Sequence, residues 1–217
     1  MTETFLAPPI GKPTELRYLA LGDSYTIGEG VPTSDCWPVQ LARALRNEGV
    51  PMSDPRIIAQ TGWTTGELDA AIDAAHPLAE YDLVSLLIGV NNQYRGLGVD
   101  EYRSQFSALL ERAVGFAQCR RDRVLVLSIP DWGVTPFARR ELRSPARIAD
   151  EIDACNRAAQ EVCVQRGVVF IDITAISRTR GAEPQMMVED ELHPSATMYT
   201  EWTRLALPAA RTLLAPR

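Results

Sequence analysis

Lysine is almost missing from this chain. Of its 22 basic residues only Lys12 is a lysine, and histidine occurs twice, as His76 and His193. Acidic residues outnumber basic ones by 28 to 22, giving a formal net charge of −6. Proteins that grip a phosphate backbone carry a basic stripe and a high isoelectric point, so nucleic acid is not an expected partner. Cysteine is scarce too. Cys36, Cys119, Cys155 and Cys163 form no CxxC pair and no Cys/His ligand spacing, which leaves no framework for a structural zinc. They read as reduced, buried thiols of a cytoplasmic protein. The opening stretch MTETFLAPPIGKPTEL has no apolar core behind a positive start, so it does not read as a secretory signal. The longest buried-looking run, Leu83 to Val90, is far short of the ~18 apolar residues that a membrane span needs. Phosphate loops of the GxGxxG or GxxxxGK[ST] type do not occur, and neither does a G-x-S-x-G elbow.

What is present describes an ordinary globular protein. The 217 residues are 46% hydrophobic and 23% charged. One domain of that size hides roughly 70% of the surface its unfolded chain exposes, so no staple is required. Residues 1–14, with Pro8, Pro9 and Pro13, read as an extended tail, and residues 15–217 as a single domain.

Five short apolar runs follow the tail: Arg17–Leu21, Ile57–Gln60, Asp82–Gly89, Val124–Ile129 and Val168–Asp172. They are continuous rather than alternating, as strands buried on both faces of a parallel sheet are. Helical periodicity fills the intervals. Tyr102, Phe106, Leu109, Ala113, Val114 and Ala117 share one face, and Ile148, Ile152, Cys155, Ala159, Val162 and Cys163 share another. A last helix is expected to start at Pro194, with Tyr199, Trp202, Leu205 and Ala209 inward and Pro208 bending or shortening it. Strand–helix alternation of this kind means one α/β domain whose functional crevice lies beyond the carboxyl ends of the strands.

Those ends carry the chemistry. The first strand runs into Gly22-Asp23-Ser24-Tyr25, the second into Thr61-Gly62-Trp63, and the third into Gly89-Val90-Asn91-Asn92. Asp190-Glu191-Leu192-His193-Pro194 stands near the C-terminus. A serine in such a turn is a poor nucleophile without a base, and the base needs an orienting partner. His193 has a carboxylate, Asp190, three residues before it. Read singly, Ser24 and Asp23 could cap a helix, Gly62 could be a plain turn and Asn91 a polar plug. Asp190 and His193 could be metal ligands, but no third ligand stands at suitable spacing.

Together the four blocks resemble the SGNH, or GDSL-type, hydrolase family over residues 17–194. The resemblance implies a flavodoxin-like, five-stranded parallel sheet of order 2-1-3-4-5 in a three-layer sandwich, and a cofactor-free serine esterase. By the same resemblance Ser24 would be the nucleophile, His193 the base and Asp190 its orienter. The Ser24 and Gly62 N–H groups and the Asn91 amide would form the oxyanion hole. Tyr25 stands where the family name has leucine, and Asn92 where aspartate is common; these departures touch substrate fit and local hydrogen bonding. The expected partner is a small-molecule acyl ester. Trp63 and Tyr94, beside two oxyanion donors, are candidates to contact it, as is Trp132 after the fourth strand. In 131–147, Arg139, Arg140, Arg143 and Arg147 read as a solvated face with Trp132 and Phe137 as core aromatics, against an alternative in which the two aromatics line an acyl pocket and the arginines receive an anion. Acyl transfer, thioester cleavage and a non-catalytic flavodoxin-like binding module remain as rival readings.

Overall fold

A computed structural model describes residues 15–78 and 80–215; the expected tail, 1–14, lies outside the described residues. Five strands form one all-parallel sheet: β1 (Tyr18–Asp23), β2 (Arg56–Gln60), β3 (Leu83–Leu87), β4 (Val124–Leu127) and β5 (Val169–Ile171). Their spatial order is 2-1-3-4-5. The central strands β1, β3 and β4 are buried at every position, while edge strands β2 and β5 are only half-buried. Continuous apolar runs demand cover on both faces of a sheet. Helix α2 (Trp37–Asn47) packs with α8 (Ala196–Leu214), and α5 (Val99–Phe116) packs with α3 (Thr65–Ala75) and α6 (Pro145–Arg166).

The register places the functional ends side by side. Gly22 is level with Ala59 of β2 and Leu87 of β3, so the turns that follow these three strands emerge together. β3 and β4 stop before the ends of their apolar runs, because the chain must turn there. Gly89 makes the turn after β3 at φ +129°, where an added Cβ would sit 2.4 Å from the Tyr102 ring. No other residue type fits that position.

Several expectations need correction. Cys119 is exposed, just beyond α5, in a left-handed conformation at φ 60°. The other three cysteines are buried, and burial pushes the Cys155 and Cys163 thiols up to about 11 and about 12. The inward face of α8 is Met198, Tyr199, Trp202, Thr203, Ala206, Ala210 and Leu214, whereas Leu205 is 41% exposed and Ala209 only half-buried. The face is set by small Ala206 and Ala210, which allow close packing, and not by the nearest large apolar residue. Pro208 lies on the exposed face and the helix runs through it, so the Arg204 carbonyl that loses its partner faces water. α8 starts at Ala196, behind a Ser195 cap, and not at Pro194. Pro194 instead pairs with Met187 in an isolated antiparallel bridge.

Candidate active site

β1 passes straight into a single helical turn, α1 (Ser24–Ile27). The turn is that abrupt because Gly22 has no side chain: a Cβ there would lie 2.1 Å from Thr26 Oγ1 and 2.5 Å from the Leu87 carbonyl. Asp23 caps the turn, its Oδ1 accepting the Tyr25 N–H at 3.0 Å. Ser24 occupies the first helical position and is 4% exposed. Asp23 is wholly buried, its Oδ2 has no hydrogen-bond partner, and burial pushes its carboxyl up to about 7. Its engaged oxygen points into its own turn, the geometry of a cap and not of a base for Ser24.

The segment 187–194 folds back on itself. The Val188 N–H donates to the His193 carbonyl at 2.9 Å, and Glu191 N–H to Val188 at 3.0 Å. Asp190 Oδ1 accepts the Leu192 and His193 N–H groups at 2.8 and 2.9 Å. Its Oδ2 lies 2.6 Å from His193 Nδ1. Burial opposes ionisation of Asp190. The hydrogen bonds from the His193 ring and the two N–H groups outweigh it and hold the carboxyl below its ordinary value. With Nδ1 facing the carboxylate, the imidazole presents Nε2 outward. The Tyr25 ring stands edge-on to the imidazole at 5.9 Å and to Trp202 at 6.0 Å, so the residue in the leucine position buttresses the histidine.

Gly62 follows β2 at φ +86°, and its carbonyl accepts Arg95 Nη2 at 2.5 Å. After Trp63, a Thr64/Glu67 capping box opens α3. The turn after β3 is the short helix α4 (Val90–Tyr94). Asn91 donates through Nδ2 to the Trp63 carbonyl at 2.9 Å, which leaves its second amide hydrogen unused by that bond. Asn92 is wholly buried and points elsewhere. It accepts from Thr65 N–H at 3.0 Å and donates to Thr65 Oγ1 at 2.7 Å, tying α4 to the start of α3.

Ser24, Gly62, Asn91 and His193 line one cleft of about 210 Å³, with Asp190 behind the histidine. Tyr94 and Trp132 line it as well, and Trp63 does not: its carbonyl, not its ring, serves the site. Tyr25, Val90, Phe137 and Leu192 complete the apolar wall. Val90 and Leu192 were not singled out from the sequence, although each adjoins a proposed catalytic residue or oxyanion donor; Tyr25, noted there as a departure touching substrate fit, does line the cleft. Tyr94, Trp132 and Phe137 meet edge to face, with centroids 5.5 and 6.3 Å apart. Three of the four arginines are engaged within the chain. Arg140 pairs with Glu191 at 2.8 Å, Arg147 with Glu151 at 2.8 Å, and Arg143 lies over Tyr94 while donating to its carbonyl at 2.8 Å. Arg139 is exposed. His76 ends α3 in a left-handed conformation, away from the cleft lining. Among the described residues no three His, Cys, Asp or Glu side chains gather as a metal site, and no helix is long and apolar enough to cross a membrane.

Residues 20–200 match the family model described as GDSL-like lipase/acylhydrolase. No curated protein matches the chain. Among solved structures, the lipase/acylhydrolase from Enterococcus faecalis is 20% identical, with a TM-score of 0.71 over 93% of this chain and 99% of its own. TesA is 22% identical, with a TM-score of 0.70 over 91% and 99%. The extracellular lipase from Streptomyces rimosus is 19% identical, with a TM-score of 0.65 over 91% and 99%. At these identities the likeness establishes the shared fold.

Proposed function

The chain belongs to the GDSL-like lipase/acylhydrolase family, and from that footing we propose that it hydrolyses carboxylic esters through a Ser24–His193–Asp190 triad. The observation that carries the reading is the 2.6 Å contact between Asp190 and His193 Nδ1, in a cleft that Ser24, Gly62 and Asn91 also line. Asp190 holds the tautomer in which Nε2 is free to accept a proton. His193 takes the Ser24 proton as the hydroxyl oxygen attacks the ester carbonyl. The tetrahedral oxyanion receives the Ser24 and Gly62 N–H groups and the Asn91 amide. Collapse expels the alcohol, to which His193 returns the proton, and leaves an acyl group on Ser24. Water, activated by His193 in turn, releases the acid. Asp190 stays ionised and steadies the imidazolium at each transfer.

A phosphonate or sulfonyl fluoride probe should label one residue, mapped to Ser24 by peptide mass spectrometry. Ser24→Ala should abolish both labelling and ester turnover. Labelling at another residue, or full turnover by Ser24→Ala, would overturn the assignment. Adding an alcohol acceptor to the assay separates hydrolysis from acyl transfer by the products formed.

A further inference from the structure

The residue two places after Asn91 does not touch the cleft. Gln93 is buried behind it, on the same short helix α4. Its Oε1 accepts the indole N–H of Trp132 at 2.8 Å, and its Nε2 donates to Glu151 Oε2 of α6 at 2.7 Å. Glu151 is fixed in turn by Arg147 Nε at 2.8 Å, with Arg143 at 3.7 Å. Arg143 closes the circuit by donating to the Tyr94 carbonyl and lying over the Tyr94 ring at 5.4 Å. One buried amide therefore joins the oxyanion helix, the aromatic wall and α6.

That position has consequences for what fits. Trp132 is nearly all buried, and its exposed edge is part of the cleft wall. The edge-to-face contacts with Tyr94 and Phe137 set the tilt of the indole but tolerate centroid separations of ~4.5–7 Å, so they alone would let it slide. The hydrogen bond to Gln93 does carry direction, and it is buried, so breaking it would leave a buried donor unpaired. The wall is thereby held at one distance from Ser24. The space so defined is small and carries no Asp, Glu, Lys or Arg side chain in its lining. A cavity of ~150 Å³ holds benzene, so about 210 Å³ holds on the order of eight carbons, shared between acyl group and leaving group.

We propose that Gln93 is a positioning residue that sets the acyl-length limit of the site, by pinning Trp132 so that the cleft takes neutral, short-chain acyl esters. The inference rests on the esterase reading above. Loss of the pin frees the indole to swing outward and lengthens the chain that fits.

The test compares kcat and KM on p-nitrophenyl acetate, butyrate, hexanoate and octanoate. The wild type should favour the shorter chains. Gln93→Met, which keeps the volume and removes both hydrogen bonds, should raise the octanoate-to-acetate ratio of kcat/KM by about tenfold or more, chiefly through KM. The exchange Gln93→Glu with Glu151→Gln rebuilds the same bonds with the partners reversed and should return the ratio toward wild type. Gln93→Glu alone sets two carboxylates against each other, so its ratio should rise with pH where the wild type's does not. That single variant decides the matter should the methionine protein fail to fold. A wild type that hydrolyses none of these esters defeats the esterase reading. A wild type that hydrolyses them, with a chain-length ratio indifferent to Gln93 or unrestored by the exchange, defeats this inference alone.

Discussion

Two aspartates flank the proposed chemistry, and the protein treats them in opposite ways. Asp23, directly before Ser24, is wholly buried with one oxygen unpaired, and its carboxyl is pushed up to about 7. Asp190, three residues before His193, has a side chain 43% exposed and accepts three hydrogen bonds that hold its carboxyl below the ordinary value. The nucleophile turn is shaped by close packing around Gly22, while the base loop is shaped by hydrogen bonds to one carboxylate. A base needs a permanent negative charge beside it, and only Asp190 supplies one across the neutral range. Proximity in sequence to the serine is therefore a poor guide to which carboxylate suits the proposed reaction.

The sharpest break would come from the two histidines. His193→Ala should lower kcat by about 10⁶-fold, as removal of a triad base does, whereas His76→Ala should leave turnover intact. Parallel steady-state assays of the folded variants check this, and equal losses would remove the base loop from the account. Next is the pH dependence of stability. Because the Asp23 carboxyl is raised in the folded state, the native protein holds a proton there that the unfolded chain has lost. The stability that Asp23 contributes should fall as pH rises from about 4 to about 7, by up to roughly 4 kcal/mol. Asp23→Asn keeps the capping oxygen and should flatten that slope in urea titrations run across this window.

Smaller effects separate the two asparagines. Asn91→Ala should lower kcat by about 10²–10³ while KM moves little, because in the proposed mechanism its amide serves a charge that appears only in the transition state. Asn92→Ala should instead lower stability by about 1–3 kcal/mol, since it leaves the buried Thr65 N–H without its acceptor. Paired kinetics and denaturation on both variants read the split directly. A kcat loss confined to Asn92→Ala would mean that the wrong side chain of α4 faces the oxyanion.

Much of this organisation is legible in the residues. β1, β3 and β4 announce themselves because burial on both faces leaves an unbroken apolar run, and the ends of β1 and β3 carry glycines, Gly22 and Gly89, that close packing explains. The strand-end blocks can be found because each is local. Other features leave no local mark. Leu205 looks as suited to the core as Trp202, and only the packing of α8 on α2 shows that Ala206 and Ala210 face inward. Trp63 serves through its carbonyl, which every residue has. Gln93 and Glu151 meet across 58 positions, a pairing with no spacing signature at all.

The contrast between the two carboxylates can be read in a single pair of variants, through the rate at which a phosphonate probe labels Ser24. Asp190→Asn removes the charge that orients and steadies His193, so labelling and ester turnover should both fall, by up to about 10⁴-fold. Asp23→Asn keeps the cap and should label at close to the wild-type rate. Rapid labelling in Asp190→Asn together with lost labelling in a folded Asp23→Asn protein would contradict the account, and would make the buried aspartate the one that drives the nucleophile.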